Sequence, residues 1–115
     1  MCLLRNRSMK TVISKSYELC DDFFSRARGL MFRRSFERPL IFIFPNESRL
    51  NAIHSFFVFF EFDAVFLDAR KRVVDVRERV RPFTPFIVPS RPAKYLIEMP
   101  AGMGRKVAVG DVLEF

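Results

Sequence analysis

The stretch "IHSFFVFFEFDAVFLD", residues 53–68, decides the class of fold that this sequence predicts. It contains six phenylalanines in sixteen residues, and both alternating sets of side chains in its second half, FDAVFLD, are apolar. A strand with two apolar faces lies inside a sheet and is covered on both sides. We therefore predict a central strand over residues 60–68, preceded by another strand over residues 51–57.

The segments on either side show short alternating or β-branched patterns that are typical of strands. They are TVISKSYEL (11–19), PLIFIF (39–44), RVVDVRERV (72–80), AKYLIEM (93–99) and VLEF (112–115), with turn residues in PNES (45–48) and PAGMGRKVAVGD (100–111). In RVVDVRERV, Val74, Val76 and Val80 alternate with charged residues, which predicts one apolar face and one solvated face.

The segment CDDFFSRARGLMFRR (20–34) changes to a helical period. Phe23, Ala27, Leu30 and Met31 fall on one side of a helical wheel. Asp21 or Asp22 is a suitable N-cap, and the arginines suit the C-terminal end of a helix dipole. We predict one α-helix here.

About seven short strands and one helix in 115 residues predict an all-β, mainly antiparallel domain. Its architecture is a compact β-barrel or a sandwich, with the helix over one opening. We expect residues 1–8 to form a disordered tail and residues 9–115 to form the single domain. RPFTPFIVPSRP (81–92) holds four prolines in twelve residues, so we interpret it as a surface connection.

Several classes of protein are disfavoured by composition. No apolar run approaches the roughly 18 residues of a membrane helix, and the N-terminus lacks the apolar core of a secretion signal. A cytoplasmic location is therefore expected. Two cysteines and one histidine argue against a disulfide framework or a metal site, and we expect no cofactor.

The net charge of +7 meets the usual criterion for binding nucleic acid or another polyanion. Arg77, Arg79 and Arg81 lie on one face of a predicted strand, and Phe83 and Phe86 follow in the proline-rich connection. Together they are the candidate binding residues, because single-strand binders combine basic and aromatic side chains. The alternatives are a solvated face with local ion pairs, or a charge bias of the kind found in heat-adapted proteins.

Five sequence blocks, in order, resemble the family called domain of unknown function 192. They are ARGLMFR (27–33), residues 53–68, RVVDV (72–76), PAKYLIEMPAG (92–102) and Gly110-Asp111. Arg26, Gly29, Leu30 and Met31 match its R-x-x-G-L-M segment, and His54, Asp63 and Asp68 match its next block, in which Glu61 replaces the usual proline. The resemblance implies a small β-barrel-like fold and no established reaction, substrate or cofactor.

His54 is the one catalytic candidate. As a general base it would need a carboxylate such as Asp63 or Asp68 within reach. The neighbouring Ser55 points to the opposite face of a strand, so the two cannot act together. We favour a structural or ligand-orienting role for His54.

The two aspartates of the opening stretch have structural predictions. Asp63 and Asp68 are five residues apart, which places them on opposite faces and excludes a paired acid/base site. Asp68 suits a turn. Asp63 enters a buried strand, and we expect an ion pair with Arg26 or Arg28. Gly29 suits a close contact or a helix C-cap, and Gly102 suits a turn.

These observations favour a binding module for an anionic or polymeric partner, monomeric or homodimeric. One alternative is a small hydrolase or lyase centred on His54. Another is a structural subunit of a homo-oligomer.

Overall fold

The computed structural model describes residues 3–21 and 29–115, and in them eight short strands form two sheets. The strands are β1 (Leu4–Asn6), β2 (Thr11–Ser14), β3 (Glu18–Cys20), β4 (Leu40–Ser48), β5 (Phe62–Leu67), β6 (Val73–Val80), β7 (Ala93–Pro100) and β8 (Leu113–Glu114). A 3₁₀ helix covers Met103–Lys106. The all-β prediction is confirmed.

The larger sheet has the order β3-β4-β7-β5-β6, and the smaller has the order β2-β1-β8. Every pairing is antiparallel except that of β3 with β4, which is parallel. The two sheets remain separate and do not close into a barrel. The barrel expectation is therefore wrong, because closure requires the first and last strands of one sheet to pair, and β3 and β6 are opposite edges of the larger sheet.

Strand β5 is the centre of the fold, as the FDAVFLD pattern predicts. It pairs with β7 on one side and β6 on the other, and all six of its residues are buried. Phe62 and Phe66 pack into one hydrophobic cluster, while Val65 and Leu67 pack into a second cluster on the opposite face. Each such side chain contributes about 1.5–3 kcal/mol of burial free energy, so this strand joins the two halves of the core.

The predicted boundaries fail in three places. Residues 51–57 form no regular strand, and the isolated β-bridge there pairs Ile53 with Ile87. Strand β4 continues through PNES, which was predicted to be a turn. Strand β1 falls inside the expected disordered tail, where Leu4 and Asn6 are fully buried because β1 is the central strand of the smaller sheet.

The predicted helix lies largely on Asp22–Arg28, outside the described residues. Its described end forms turns over residues 29–32. Gly29 and Phe32 have φ values of 44° and 63°, and this left-handed backbone cannot continue a right-handed helix. No α-helix occurs in the described part of the chain.

Strand β6 does not alternate as predicted. Val74 and Val80 pack against one cluster, but Val76 packs against the other. The register against β5 shifts once beside Val74 and again between Arg77 and Val80. A β-bulge adds a residue on one strand and so reverses the facing of those that follow.

Candidate functional site

A cavity of about 160 Å³ opens between the turn that contains Gly29, strand β4 and the segment around His54. Apolar side chains form most of its wall, including Leu30, Met31 and Phe42. The carboxyl group of Glu98 and the imidazole of His54 are its titratable groups among the described residues. A concave, mostly apolar space with a few convergent polar groups is the usual form of a small-molecule site.

Glu98 lies in β7, opposite Leu40 of β4 and Ala64 of β5. It is 5% exposed, and its Oε1 atom has no hydrogen-bond partner among the described residues. Burial raises the pKa of Glu98 to about 8, although the positive charge of Arg33 acts in the opposite direction. A buried, unpaired carboxyl group is rare because it loses hydration without compensation.

The charge of Arg33 is already compensated. Its guanidinium donates to both carboxylate oxygens of Glu18, at 3.0 and 3.2 Å. Hydrogen bonding from Arg33 is the largest cause of the lowered pKa of Glu18, and it outweighs the opposing effect of burial. Arg33 therefore modulates Glu98 from a distance and does not bind it.

The sequence contained one signal for Glu98 that the motif reasoning missed. Glu98 and Leu96 are two residues apart on β7 and so share a face, and Leu96 belongs to a hydrophobic cluster. A carboxyl group on an interior face of a central strand is the anomaly that marks the cavity.

His54 is exposed at this cavity. Its Nδ1 atom accepts a hydrogen bond from the backbone N–H of Phe56 at 3.1 Å, and its ring lies 5.1 Å from the Phe56 ring. The structure thus brings His54 to the cavity of Glu98, whereas Asp63 and Asp68 make their bonds elsewhere.

Ser55 faces away from His54 and fastens the proline-rich connection. Its buried hydroxyl donates to the carbonyl of Arg81 at 2.6 Å and accepts from the N–H of Thr84 at 2.7 Å. Backbone bonds from Ser55 to Phe83 and Thr84 reinforce this link. Its oxygen is fully engaged, so it offers no nucleophile to His54.

Asp63 is fully buried and is satisfied by backbone amides. Its carboxylate accepts from the N–H groups of Arg79, Gly102 and Gly104 at 2.8–2.9 Å. It thereby joins the bulge of β6 to the loop before the 3₁₀ helix. The expected partners Arg26 and Arg28 lie outside the described residues, so the ion pair stays a prediction.

Asp68 and Gly29 have local structural roles. Oδ1 of Asp68 accepts from the N–H groups of Arg70 and Arg72 in the turn after β5. A Cβ at Gly29 would lie 3.0 Å from the ring of Phe42, so this turn packs directly on β4. Leu30 is buried beside it, Met31 packs against the same cluster, and Arg26 is outside the described residues.

The arginines of β6 are partly neutralised, and the register shift between Arg77 and Val80 breaks the alternation that predicted a single arginine face. Arg77 binds Asp75 at 2.9 Å and the carbonyl of Val88 at 2.7 Å, and Arg79 binds Glu61 at 3.3 Å. Burial alone would raise the pKa of Asp75, but hydrogen bonds from Arg77 and Ser90 outweigh it and lower that pKa. Arg81 makes no ion pair within the described residues and is exposed.

A ridge of exposed aromatic rings includes Phe83, which is two residues after Arg81 in the chain. Phe57 stacks on Phe32 with 5.0 Å between ring centroids, and Phe83 meets Phe57 and Phe59 edge-on at 5.8 Å. The exposed fractions are 64% for Phe32, 45% for Phe57, 59% for Phe59 and 47% for Phe83. The sequence predicts a strand over residues 51–57, and the structure instead leaves the rings of Phe56 and Phe57 exposed there. Phe86 is 79% exposed on the same connection.

Across residues 3–21 and 29–115, no three His, Cys, Asp or Glu side chains gather as a metal ion would require. No helix in the same two ranges is long and apolar enough to cross a membrane.

The chain is similar to several UPF0127 proteins. It is 42% identical to one from Pyrococcus abyssi, covering 100% of this chain and 98% of that protein. It is 43% identical over 88% of its length to one from Thermococcus sibiricus, of which it spans only 65%. A third, from Pyrococcus furiosus, is 44% identical over 83% of this chain and 82% of the relative.

Two solved structures share the fold. One, from Sinorhizobium meliloti 1021, is named a "putative transcription regulator" and has a TM-score of 0.85 at 23% identity, covering 97% of this chain and 89% of that one. The other, a protein of unknown function from Novosphingobium aromaticivorans, has a TM-score of 0.82 at 19% identity, covering 98% and 82%.

The family model described as "Uncharacterized ACR" (DUF192) matches residues 4–115. This match includes all the described strands, and it agrees with the identity to the UPF0127 relatives. The chain belongs to the DUF192 (UPF0127) family.

Proposed function

We propose that the protein is a binding module for single-stranded nucleic acid, and that the aromatic ridge with Arg81 is its contact surface. The observation that carries the proposal is the cluster of exposed, mutually touching rings of Phe32, Phe57, Phe59 and Phe83. Bases stack on such rings without regard to sequence, and each stack contributes about 1–3 kcal/mol.

The charge of the chain supports this choice of partner. A net charge of +7 favours a polyanion, and the unpaired guanidinium of Arg81 lies two residues from Phe83 in the chain. Arg79 and Phe86 extend the surface, whereas Arg77 is held by Asp75 and contributes less. The name of the Sinorhizobium protein points in the same direction, but at 23% identity the proposal depends on the ridge.

The connection that carries Phe83 is preorganised for binding. Ser55 holds it through Arg81 and Thr84, so little conformational entropy remains to be lost when a base stacks. A rigid surface of this kind binds more tightly than the same rings on a loose loop.

The enzymatic alternative has weaker support. His54 and Glu98 line one cavity, but the hydroxyl nearest in sequence to His54, that of Ser55, is committed to Arg81 and Thr84. Ser55 therefore offers His54 no free hydroxyl to activate as a nucleophile.

The test is an NMR titration of the ¹⁵N-labelled chain with a short oligothymidylate at about 50 and about 200 mM salt. We expect shifts at the ridge and at residues 81–88, and a fall in log K with log salt of about 0.7 per phosphate contacted. Absence of chemical-shift changes, or a binding affinity that does not change with salt concentration, would overturn the proposal.

Single substitutions test which residues form the proposed contact surface. Phe59→Leu and Phe83→Leu should each weaken binding by about 1–3 kcal/mol while the chain stays folded. Arg81→Gln should reduce the salt slope by about 0.7, and the charge-matched control Arg70→Gln, in the turn after β5, should leave it unchanged. A mass that doubles with protein concentration and is insensitive to oligothymidylate would instead assign the ridge to self-association.

A further inference from the structure

The cavity of Glu98 is separate from the surface proposed above. None of the ridge phenylalanines lines it, and its described wall comes from the turn at Gly29, from β4 and from the segment around His54. Its volume of about 160 Å³ is close to the roughly 150 Å³ that holds a benzene-sized molecule in an apolar protein interior. The space therefore fits a small ligand of mainly apolar character.

The residues that line the cavity indicate which polar group the ligand carries. Glu98 lines this space, its buried Oε1 atom has no hydrogen-bond partner among the described residues, and the neighbouring lining includes Leu30, Met31, Phe42 and Phe44. A carboxylate removed from water needs a cation or a strong donor. Aromatic rings add a further attraction for a compact cation.

Among the described residues, no cation of the chain fills this role. Arg33 acts electrostatically on Glu98, but its guanidinium is bound by both oxygens of Glu18. The described residues also offer no cluster that would hold a metal ion beside Glu98. The partner that matches a single carboxylate in an apolar wall is an ammonium group from a small molecule.

We propose that this cavity binds a small, mostly apolar primary amine in its protonated form, with the ammonium group donating to the carboxylate of Glu98. His54, at the same cavity, is a positioning residue at the entrance. The ammonium keeps its proton, and the carboxyl group of Glu98 gives its own proton to the solvent when the ion pair forms.

This proton release makes the binding distinctive. The pKa of Glu98 in the free protein is about 8, so near neutral pH the carboxyl group is mainly protonated before the amine enters. Affinity should rise about tenfold per pH unit below that pKa and level off above it. Among the described residues, Arg33 acts on Glu98 and His54 lines the same cavity, and Arg33 stays charged throughout.

The experiment is calorimetry of the whole chain with cyclopentylamine, compared with cyclopentanol as the uncharged probe of the same shape. At pH 7 we expect the amine to bind at least tenfold more tightly than the alcohol. Heats in buffers of different ionisation enthalpy should show release of about one proton. Equal affinities, or no proton release, would overturn the proposal.

Three variants complete the test. Glu98→Gln keeps the size of the side chain and should abolish the preference for the amine, with the affinity for cyclopentanol changing less than twofold. His54→Gln should retain the pH dependence, which separates Glu98 from the histidine. Ala52→Met adds bulk to the cavity wall without touching Glu98 and should block both probes, so unchanged amine binding in that variant would also reject the site.

Discussion

The carboxylate of Asp63 lies directly against the backbone of Gly104. The N–H of Gly104 donates to Oδ2 of Asp63 at 2.8 Å, and a Cβ at residue 104 would lie 2.8 Å from that same oxygen. Only glycine leaves room for the buried carboxylate to approach the backbone this closely. The loop before the 3₁₀ helix is thus positioned by a side chain from the centre of the larger sheet.

We expect Asp63→Ala to lower the free energy of unfolding by about 3 kcal/mol or more, because it leaves three backbone N–H groups without their acceptor. Urea unfolding measures the change. The control Asp68→Ala removes two bonds from an exposed turn and should cost about 1 kcal/mol. Similar losses for the two variants would contradict this account of Asp63.

Glu98 should make the protein less stable as the pH rises. Its folded-state pKa of about 8 exceeds its ordinary value of 4.5, so between those values the folded chain holds a proton that the unfolded chain has lost. The free energy of unfolding should therefore fall with increasing pH by up to about 1.4 kcal/mol per unit across this window.

Glu98→Gln should flatten this dependence of stability on pH. The free energy of unfolding of the variant, relative to that of the parent, should therefore rise steadily from pH 5 to pH 8. Urea midpoints at a series of pH values test it. His54→Gln is the control, since it changes the other ionisable side chain in the described lining of the same cavity. A pH profile of stability that stays steep in Glu98→Gln and becomes flat in His54→Gln would contradict the assignment of the effect to Glu98.

Ser55→Ala should loosen the connection over residues 81–88. The substitution removes the hydroxyl that links the Arg81 carbonyl to the Thr84 N–H, and a loss of about 1–3 kcal/mol is expected. Faster amide exchange at Thr84 would show the local effect. Ser90→Ala removes an exposed hydroxyl bond of 3.3 Å and should change stability by less than about 0.5 kcal/mol.

Gly29→Ala should destabilise the turn beside the cavity by about 2–3 kcal/mol. It combines a left-handed backbone with a contact of 3.0 Å to Phe42. Gly102→Ala is the matched control, because its φ of 95° is also left-handed but nothing lies within 4 Å of the added carbon. An equal loss at both positions would mean that the approach to Phe42 costs nothing.

The sequence by itself determined the all-β class, the central strand Phe62–Leu67 and the family. These follow from local periodicity and from ordered motifs, both of which are written in neighbouring residues. The irregular path of residues 51–57 was not predictable in this way, because the apolar run there matches a strand pattern although its rings form an exposed ridge.

Tertiary structure alone decided the sites. Glu98 is isolated because its two neighbouring strands are apolar where they face it and because Arg33 is held by Glu18. The carboxylate of Asp63 accepts hydrogen bonds from backbone amides that are 39 and 41 residues away in the chain. Which polar groups meet, and which are left unpaired, depends on long-range register, and no local pattern in a sequence contains that information.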